Sequence, residues 1–245
     1  MIIIYFLRSV LYDICFIINA ILLGFTLVDL NLFHNRERFL RRSKAWAMRN
    51  ITMLKAICGV DYKLLGTENI TKGNFLAVSK HQSSWECYFL YAFLPDYPVC
   101  VSKKEIMMLP IFGPALDRVG NMTVDRNDGL ASMKNLLKKS KSYFESGRKT
   151  FLIFPQGTRV PVDSSATEYP YKPGLLAIAS VNKLDILPIS LNSGNIWPKG
   201  RFIKKPGVIT VKFMPIISYS DYKDLDKNTL MRTIEDTIEK NQKTI

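Results

Sequence analysis

The stretch NFLAVSKHQSSWECYFL, residues 74–90, decides how the chain is read. "NFLAVS" (74–79) is a short, unbroken apolar run, the pattern of a strand buried on both faces of a sheet. Residues 84–94 read as a helix. His81 stands in the turn between the two, one of only two histidines in 245 residues, with Glu86 five positions further on. Strand, short polar turn and helix make the repeating unit of α/β domains, and such turns carry their chemistry.

The same alternation continues outward. "PVCVS" (98–102), "NMTVD" (121–125), "TFLIF" (150–154), "ILPISL" (186–191) and "GVITVKF" (207–213) read as strands. A helix is predicted over 129–146, with Leu130, Met133, Leu137 and Phe144 on one face, Asp128 as N-cap and Gly147 as its stop. Another is predicted over 227–242, where Leu230, Ile234 and Ile238 recur four apart. The Pro- and Ser-rich segment 160–174 is expected at the surface near a site. An α/β domain is therefore expected over residues 61–245.

Composition narrows the partners. Hydrophobic residues make up 47% of the chain, enough for a sizeable core and too much for a disordered tail. The 34 Lys and Arg against 21 Asp and Glu leave a net charge of +13, which predicts attraction to an anion: nucleic acid, acidic headgroups or a phosphorylated substrate. The cysteines at 15, 58, 87 and 100 form no C-x-x-C pair and fit a reduced, cytosol-facing chain. The N-terminus favours membrane over nucleic acid. Residues 1–28 are apolar except for Arg8, Asp13 and Asn19, and lack the leading charge and small-residue cleavage site of a secretory signal. A membrane-embedded helix is expected, re-entrant rather than a clean span because Asp13 is costly at the midplane; the alternative is a core helix of a soluble protein. Residues 35–55 follow with seven basic side chains against Glu37 alone, and with Leu40, Ala47, Ile51 and Leu54 at helical spacing. A basic amphipathic helix after an apolar one reads as lying on an anionic, cytoplasmic membrane face. Residues 1–60 are expected to form this membrane-associated element.

Two readings of Glu86 stand. On a regular helix, residues five apart point roughly 140° away from each other, so a joint role needs His81 in the turn and Glu86 in the first helical turn. Ser83 as N-cap then makes Ser83-x-x-Glu86 a capping box, a purely structural role. A carboxylate on the far nitrogen of His81 equally suits a general base acting on an alcohol. A second candidate is "IFPQGTRV" (153–160), where Pro155 bends the chain, Gly157 lets backbone approach a ligand, and Arg159 offers a bidentate phosphate donor. The third, residues 103–126, ends in Asp125-Arg126; the fourth, "LPISLNSGNIWPK" (187–199), carries Pro188 in a strand. No G-x-S-x-G elbow, nucleotide loop or dinucleotide fingerprint occurs, and two histidines make a histidine-rich metal site an unsuitable reading.

In order and spacing, these four stretches resemble the glycerolipid acyltransferase family, and within it the bacterial 1-acyl-sn-glycerol-3-phosphate acyltransferases, over about residues 70–200. "HQSSWE" is similar to the family's H-x4-D with Glu86 in the aspartate's place, and "FPQGTR" (154–159) to its F-P-E-G-T-R with Gln156 for glutamate. The resemblance implies an α/β fold with a mixed sheet flanked by helices and an N-terminal helical element docking on the bilayer. It further implies acyl transfer from an acyl-CoA or acyl carrier protein thioester to the 2-hydroxyl of lysophosphatidic acid, giving phosphatidic acid, with no other cofactor, no metal and no nucleic-acid partner. His81 would be the base and Glu86 its partner; Gly157, Thr158, Arg159, Arg126 and Lys103 or Lys104 would bind the phosphate, with Gln156 and Pro188 supporting the motifs. The location implied is the inner membrane, with the catalytic domain facing the cytoplasm. Glycerol 3-phosphate or another lysophospholipid as acceptor, and a non-catalytic lipid-binding protein, are the alternatives.

Overall fold

The computed structural model describes residues 1–28, 35–124 and 129–245. Its strands are β1 (Val60–Leu65), β2 (Phe75–Ser79), β3 (Val99–Lys103), β4 (Met122–Val124), β5 (Thr150–Ile153), β6 (Asp185–Leu191) and β7 (Gly207–Phe213). They form one sheet of order β1-β7-β6-β2-β5-β3-β4, parallel at each pairing except β6 with β7. The fold is the mixed α/β sheet expected. The run at 75–79 takes the central place its composition calls for: Phe75 through Val78 are each 0% exposed, paired to β5 on one side and β6 on the other. Side chains alternate across β2, so Leu76 and Val78 enter one core and Phe75 and Ala77 the other.

The helices are α1 (Ile2–Val28), α2 (Arg36–Cys58), α3 (Trp85–Phe93), α4 (Lys104–Met107), α5 (Phe112–Val119), α6 (Gly129–Glu145), α7 (Gly174–Val181), α8 (Ser193–Ile196), α9 (Tyr219–Tyr222) and α10 (Lys227–Gln242). On one face of the sheet, α7 and α10 bury Leu175, Ile178, Ile234 and Ile238; on the other, α2 and α3 bury Ile51, Leu54, Trp85 and Phe89. The expected N-cap Asp128 and the side chain of Leu130 lie outside the described residues. Gly147 follows α6 at φ +83°, a left-handed conformation that ends the helix without a Cβ penalty.

The apolar face of α2 points into the protein. Phe39, Leu40, Trp46, Ala47, Ile51 and Leu54 are buried against α3 and the sheet. This apolar stripe is part of the core, which leaves the basic side as the one turned outward. The helix closes on Gly59, at φ +72°, whose N–H bonds to Leu54 and Lys55 carbonyls.

α1 packs one stripe against α2, with Ser9, Tyr12, Asn19, Ala20 and Leu23 buried. Its opposite stripe exposes Ile3, Leu7, Leu11, Ile14, Ile18 and Phe25. The helix is long and apolar enough to cross a membrane, and it fits a membrane element. Of its polar exceptions, Asn19 and Asp13 face the protein, while Arg8 is exposed. Asn19 donates to the Trp46 carbonyl and to Asn50 Oδ1 and accepts from Arg49. Asp13 pairs with Lys204 at 2.5 Å, and the Lys204 ammonium lies over the rings of Tyr12, Trp197 and Phe202. The charge that is costly in a bilayer is therefore neutralised on the protein side.

Lys204 is 2% exposed by side chain and Asp13 35%. Removing one member of such a pair strands the other. Lys204→Met should lower stability by about 2–3 kcal/mol, at or below the low end for a buried pair because Asp13 keeps solvent access. The loss is checked by thermal unfolding in detergent, with proteolysis reporting whether α1 detaches.

Candidate active site

The turn after β2 places the first motif at the carboxyl edge of the parallel strands, where open α/β sheets put their sites. The buried Glu86 carboxylate collects four donors. Its Oε1 accepts from His81 Nδ1 at 2.8 Å, Gln82 N–H at 2.6 Å and Ser83 N–H at 2.7 Å; its Oε2 accepts from Ser193 Oγ at 2.8 Å. Glu86 is 0% exposed and the His81 side chain 16%. A carboxylate held this way takes the Nδ1–H of the ring and leaves Nε2 as its basic nitrogen. The Phe154 ring stacks on the imidazole, centroids 4.2 Å apart, and prevents the ring from swinging away.

Glu86 thus does both things the sequence allows. It receives the Ser83 N–H as a capping-box glutamate does, while Ser83 Oγ accepts from Trp85 N–H at 3.2 Å. The residue preceding the helix is Ser84 rather than Ser83, and its hydroxyl serves another purpose: it accepts from Arg159 Nη1 at 2.8 Å. The helix start and the Phe154–Arg159 turn are joined again by Val160 N–H to the His81 carbonyl at 2.7 Å. Gly157, at φ +67°, makes the turn by donating to the Phe154 carbonyl. Ser193 and Gly194 of the fourth motif close the ring, Gly194 N–H bonding to Gln82 Oε1. The α8 segment in "SLNSGNI" therefore orients Glu86, a role the sequence does not announce.

Two cavities meet at His81 and Arg159. The first, about 290 Å³, is walled largely by apolar groups, among them Leu23, Trp46, Tyr88, Phe112 and Leu152 from α1, α2, α3, α5 and β5. The second, about 490 Å³, is lined by Lys103, Gly157, Thr158, Arg159, Lys172 and Lys199 beside Met133, Leu136 and Leu175. The structure so gathers His81, Glu86, Gly157, Thr158, Arg159 and Lys103. Lys104 opens α4 but does not line either cavity. Pro188 is buried inside β6, in register with Val78, as part of the sheet. Arg126 and Asp125 lie outside the described residues.

Two thiols, Cys87 and Cys100, line both cavities and could be taken for nucleophiles. Burial, with the Glu86 carboxylate adding to it for Cys87, pushes both thiols up, well up for Cys87. They stay protonated at neutral pH and are poor nucleophiles.

Behind the motif turn lies a buried polar cluster that has no signature in the sequence. Lys80, 1% exposed, donates to Glu239 Oε2 and to the Ser164 carbonyl, both at 2.8 Å. Glu239 Oε1 accepts the Tyr171 hydroxyl at 3.1 Å, and Gln156, 5% exposed, lies beside Tyr171. Burial, then the Glu239 charge, raises the Tyr171 phenol far above its ordinary range, so it stays a donor. The Gln156 Oε1 is buried with no hydrogen-bond partner among the described residues, so an ionised glutamate at 156 would bury a charge with no donor to satisfy it.

The comparisons fit this geometry. The family model described as Acyltransferase matches residues 61–192. The 1-acyl-sn-glycerol-3-phosphate acyltransferase of Pseudomonas aeruginosa is 32% identical over 85% of this chain and 80% of its own. Its counterpart in Helicobacter pylori is 30% identical over 67% of this chain and 65% of its own. The crystal structure of the 1-acyl-sn-glycerophosphate (LPA) acyltransferase of Thermotoga maritima superposes with a TM-score of 0.74 at 20% identity, over 99% of this chain and 95% of that one, a likeness of fold.

Gln156→Glu should destabilise the protein by about 1–3 kcal/mol, the cost of burying an acceptor that finds no donor. A fall in melting temperature reports it, and an unchanged or raised melting temperature would show that position 156 accommodates a carboxylate. With the His81–Glu86 turn, the Phe154–Arg159 turn and the Ser193 segment locked together, and with the family model matching residues 61–192 and a relative 32% identical over 85% of the chain, the chain belongs to the acyltransferase family.

Proposed function

We propose that the protein moves a fatty acyl group from an acyl thioester, carried by CoA or acyl carrier protein, to the 2-hydroxyl of 1-acyl-sn-glycerol 3-phosphate, giving phosphatidic acid. The observation that carries this reading is the position of the His81–Glu86 pair at the junction of an apolar and a cationic cavity. His81 Nε2 takes the proton of the acceptor hydroxyl as its oxygen attacks the thioester carbonyl; Glu86 holds Nδ1–H and stabilises the imidazolium that forms. The tetrahedral intermediate collapses with loss of the C–S bond, and the imidazolium returns its proton to the departing thiolate. No acyl-enzyme is required, which agrees with the protonated state of Cys87 and Cys100.

In the acceptor, phosphate and reacting hydroxyl sit on neighbouring carbons, so the phosphate must bind close to His81. Arg159, held by Ser84 beside the base and lining both cavities, suits it, with Lys103 adding charge. The apolar cavity takes the acyl chain of the donor. The exposed stripe of α1, continued by Met108 and Leu109 at the turn before α5, is the surface that enters the bilayer, and the basic face of α2 meets anionic headgroups. The location proposed is the inner membrane, with the site on the cytoplasmic side.

Purified protein in vesicles, given a labelled oleoyl thioester and either lysophosphatidate or glycerol 3-phosphate, tests the reaction. Turnover on lysophosphatidate is expected, with His81→Ala reducing it by roughly two to four orders of magnitude. Glu86→Gln can keep its carbonyl oxygen on His81 and both backbone N–H groups while its amide donates to Ser193. It should therefore fold normally yet lose kcat by roughly a hundredfold or more. A folded Glu86→Gln protein with full kcat would confine Glu86 to the capping role, and preference for glycerol 3-phosphate would change the acceptor.

A further inference from the structure

The larger cavity holds more positive charge than one acceptor phosphate accounts for. Lys103, Arg159, Lys172 and Lys199 all line it, and its described lining residues include no carboxylate. The four divide by position. Arg159 reaches the helix start beside His81 and lines both cavities, whereas the three lysines line only the larger one, Lys103 from the end of β3 and Lys172 and Lys199 from beside the Phe154–Arg159 turn. Lys172 and Lys199 are exposed, unlike the half-buried Arg159, and both are tied to the Phe154–Arg159 turn: Lys172 by its N–H on the Pro155 carbonyl at 3.0 Å, Lys199 by its ammonium on Thr158 Oγ1 at 3.3 Å. Beside Lys172, Pro173, Gly174 and Leu175 bring the first turn of α7, the positive end of that helix dipole, onto the same cavity.

Chemistry assigns Arg159 and the Lys172–Lys199 pair differently. The phosphate of a lysophosphatidate lies one carbon from the hydroxyl that reacts, so it belongs beside His81. The phosphate of a thioester donor is separated from its sulfur by the whole pantetheine arm, so it must bind at a distance from His81 and be reached along an open channel. We propose that Lys172 and Lys199 bind the phosphate of the donor's pantetheine arm in the outer part of the larger cavity, a reading that rests on the acyltransfer reaction above. The thioester then lies with its acyl chain in the apolar cavity, its carbonyl at His81 and its arm running past Arg159 to the two lysines. A CoA donor, with a diphosphate and a ribose phosphate, and a carrier-protein donor, with one phosphodiester, present the same first phosphate to this site.

The test compares Lys172→Ala, Lys199→Ala and the double variant with wild type, as full-length protein in detergent. Steady-state assays use acyl-CoA, acyl carrier protein and an acyl-pantetheine that lacks phosphate, and equilibrium dialysis follows binding of CoA itself. Each lysine should cost about tenfold in KM for the phosphate-bearing donor that the enzyme uses, the loss of one charge-assisted hydrogen bond. The KM for lysophosphatidate and the turnover of acyl-pantetheine should stay within twofold, and Lys172→Arg with Lys199→Arg should restore the donor KM. The source is CoA if the KM for acyl-CoA rises and CoA binding weakens in step; it is the carrier-bound arm if the effect appears with the carrier thioester alone. A rise in the lysophosphatidate KM with the donor KM unchanged, or an equal loss on acyl-pantetheine, would overturn the proposal. CoA binding by His81→Ala, measured without turnover, keeps a failure of the catalytic reading distinct from a failure of this one.

Discussion

The site depends on one buried carboxylate. Glu86 has no solvent to satisfy its oxygens, and four donors converge on them instead. Two of them are backbone N–H groups of the turn that carries His81, so the bonds that satisfy the charge also fix the backbone around the base. The third is Ser193, from a segment more than a hundred residues away in sequence. The fourth is the imidazole. Any movement of His81 away from its bound geometry would leave a buried acceptor short of a donor, and the ring is thus held in one tautomer and one orientation before substrate arrives.

The same economy of contacts joins the rest of the molecule to this turn. Val160 and Arg159 tie the phosphate-binding turn to His81 and Ser84. Behind it, Lys80, immediately before the base, reaches Glu239 on the last helix, so the C-terminus of the chain steadies the site. In front, the loop of Trp197 to Lys204 cages a cation that holds Asp13 of the first helix. Asp13 is the residue that makes α1 a poor simple span. Its pairing explains how a long apolar helix can keep one face in protein and offer the other to lipid.

Much of this was legible from residue pattern. β2, β5 and β6 follow from apolar runs buried on both faces, and β7, α3, α6 and α10 from periodicity buried on one. β1 was not read, because "VDYKLL" is short, edge-placed and only partly buried. α7, "GLLAIASV", lacks any polar face to reveal a period, being packed deep between the sheet and α6. The apolar stripe of α2 was visible, but its partner was not: the same stripe fits a bilayer or a protein core, and only tertiary packing decides. In the site, His81, Glu86 and Arg159 stand out by residue type and spacing. Ser193, Lys172, Lys199 and the Lys80–Glu239 pair do not, because each becomes meaningful only when distant segments meet.

The central claim, that Glu86 holds the Nδ1–H tautomer of His81 and leaves Nε2 as base, has a direct spectroscopic readout. With two histidines in the chain, nitrogen NMR of protein labelled at histidine, assigned with a His34 variant, reports the ring of His81 alone. At a pH where the ring is neutral, the account predicts a protonated Nδ1 with a strongly downfield proton that moves upfield in Glu86→Gln, and an unprotonated Nε2. A neutral ring protonated at Nε2, or an Nδ1 signal indifferent to Glu86, would contradict it.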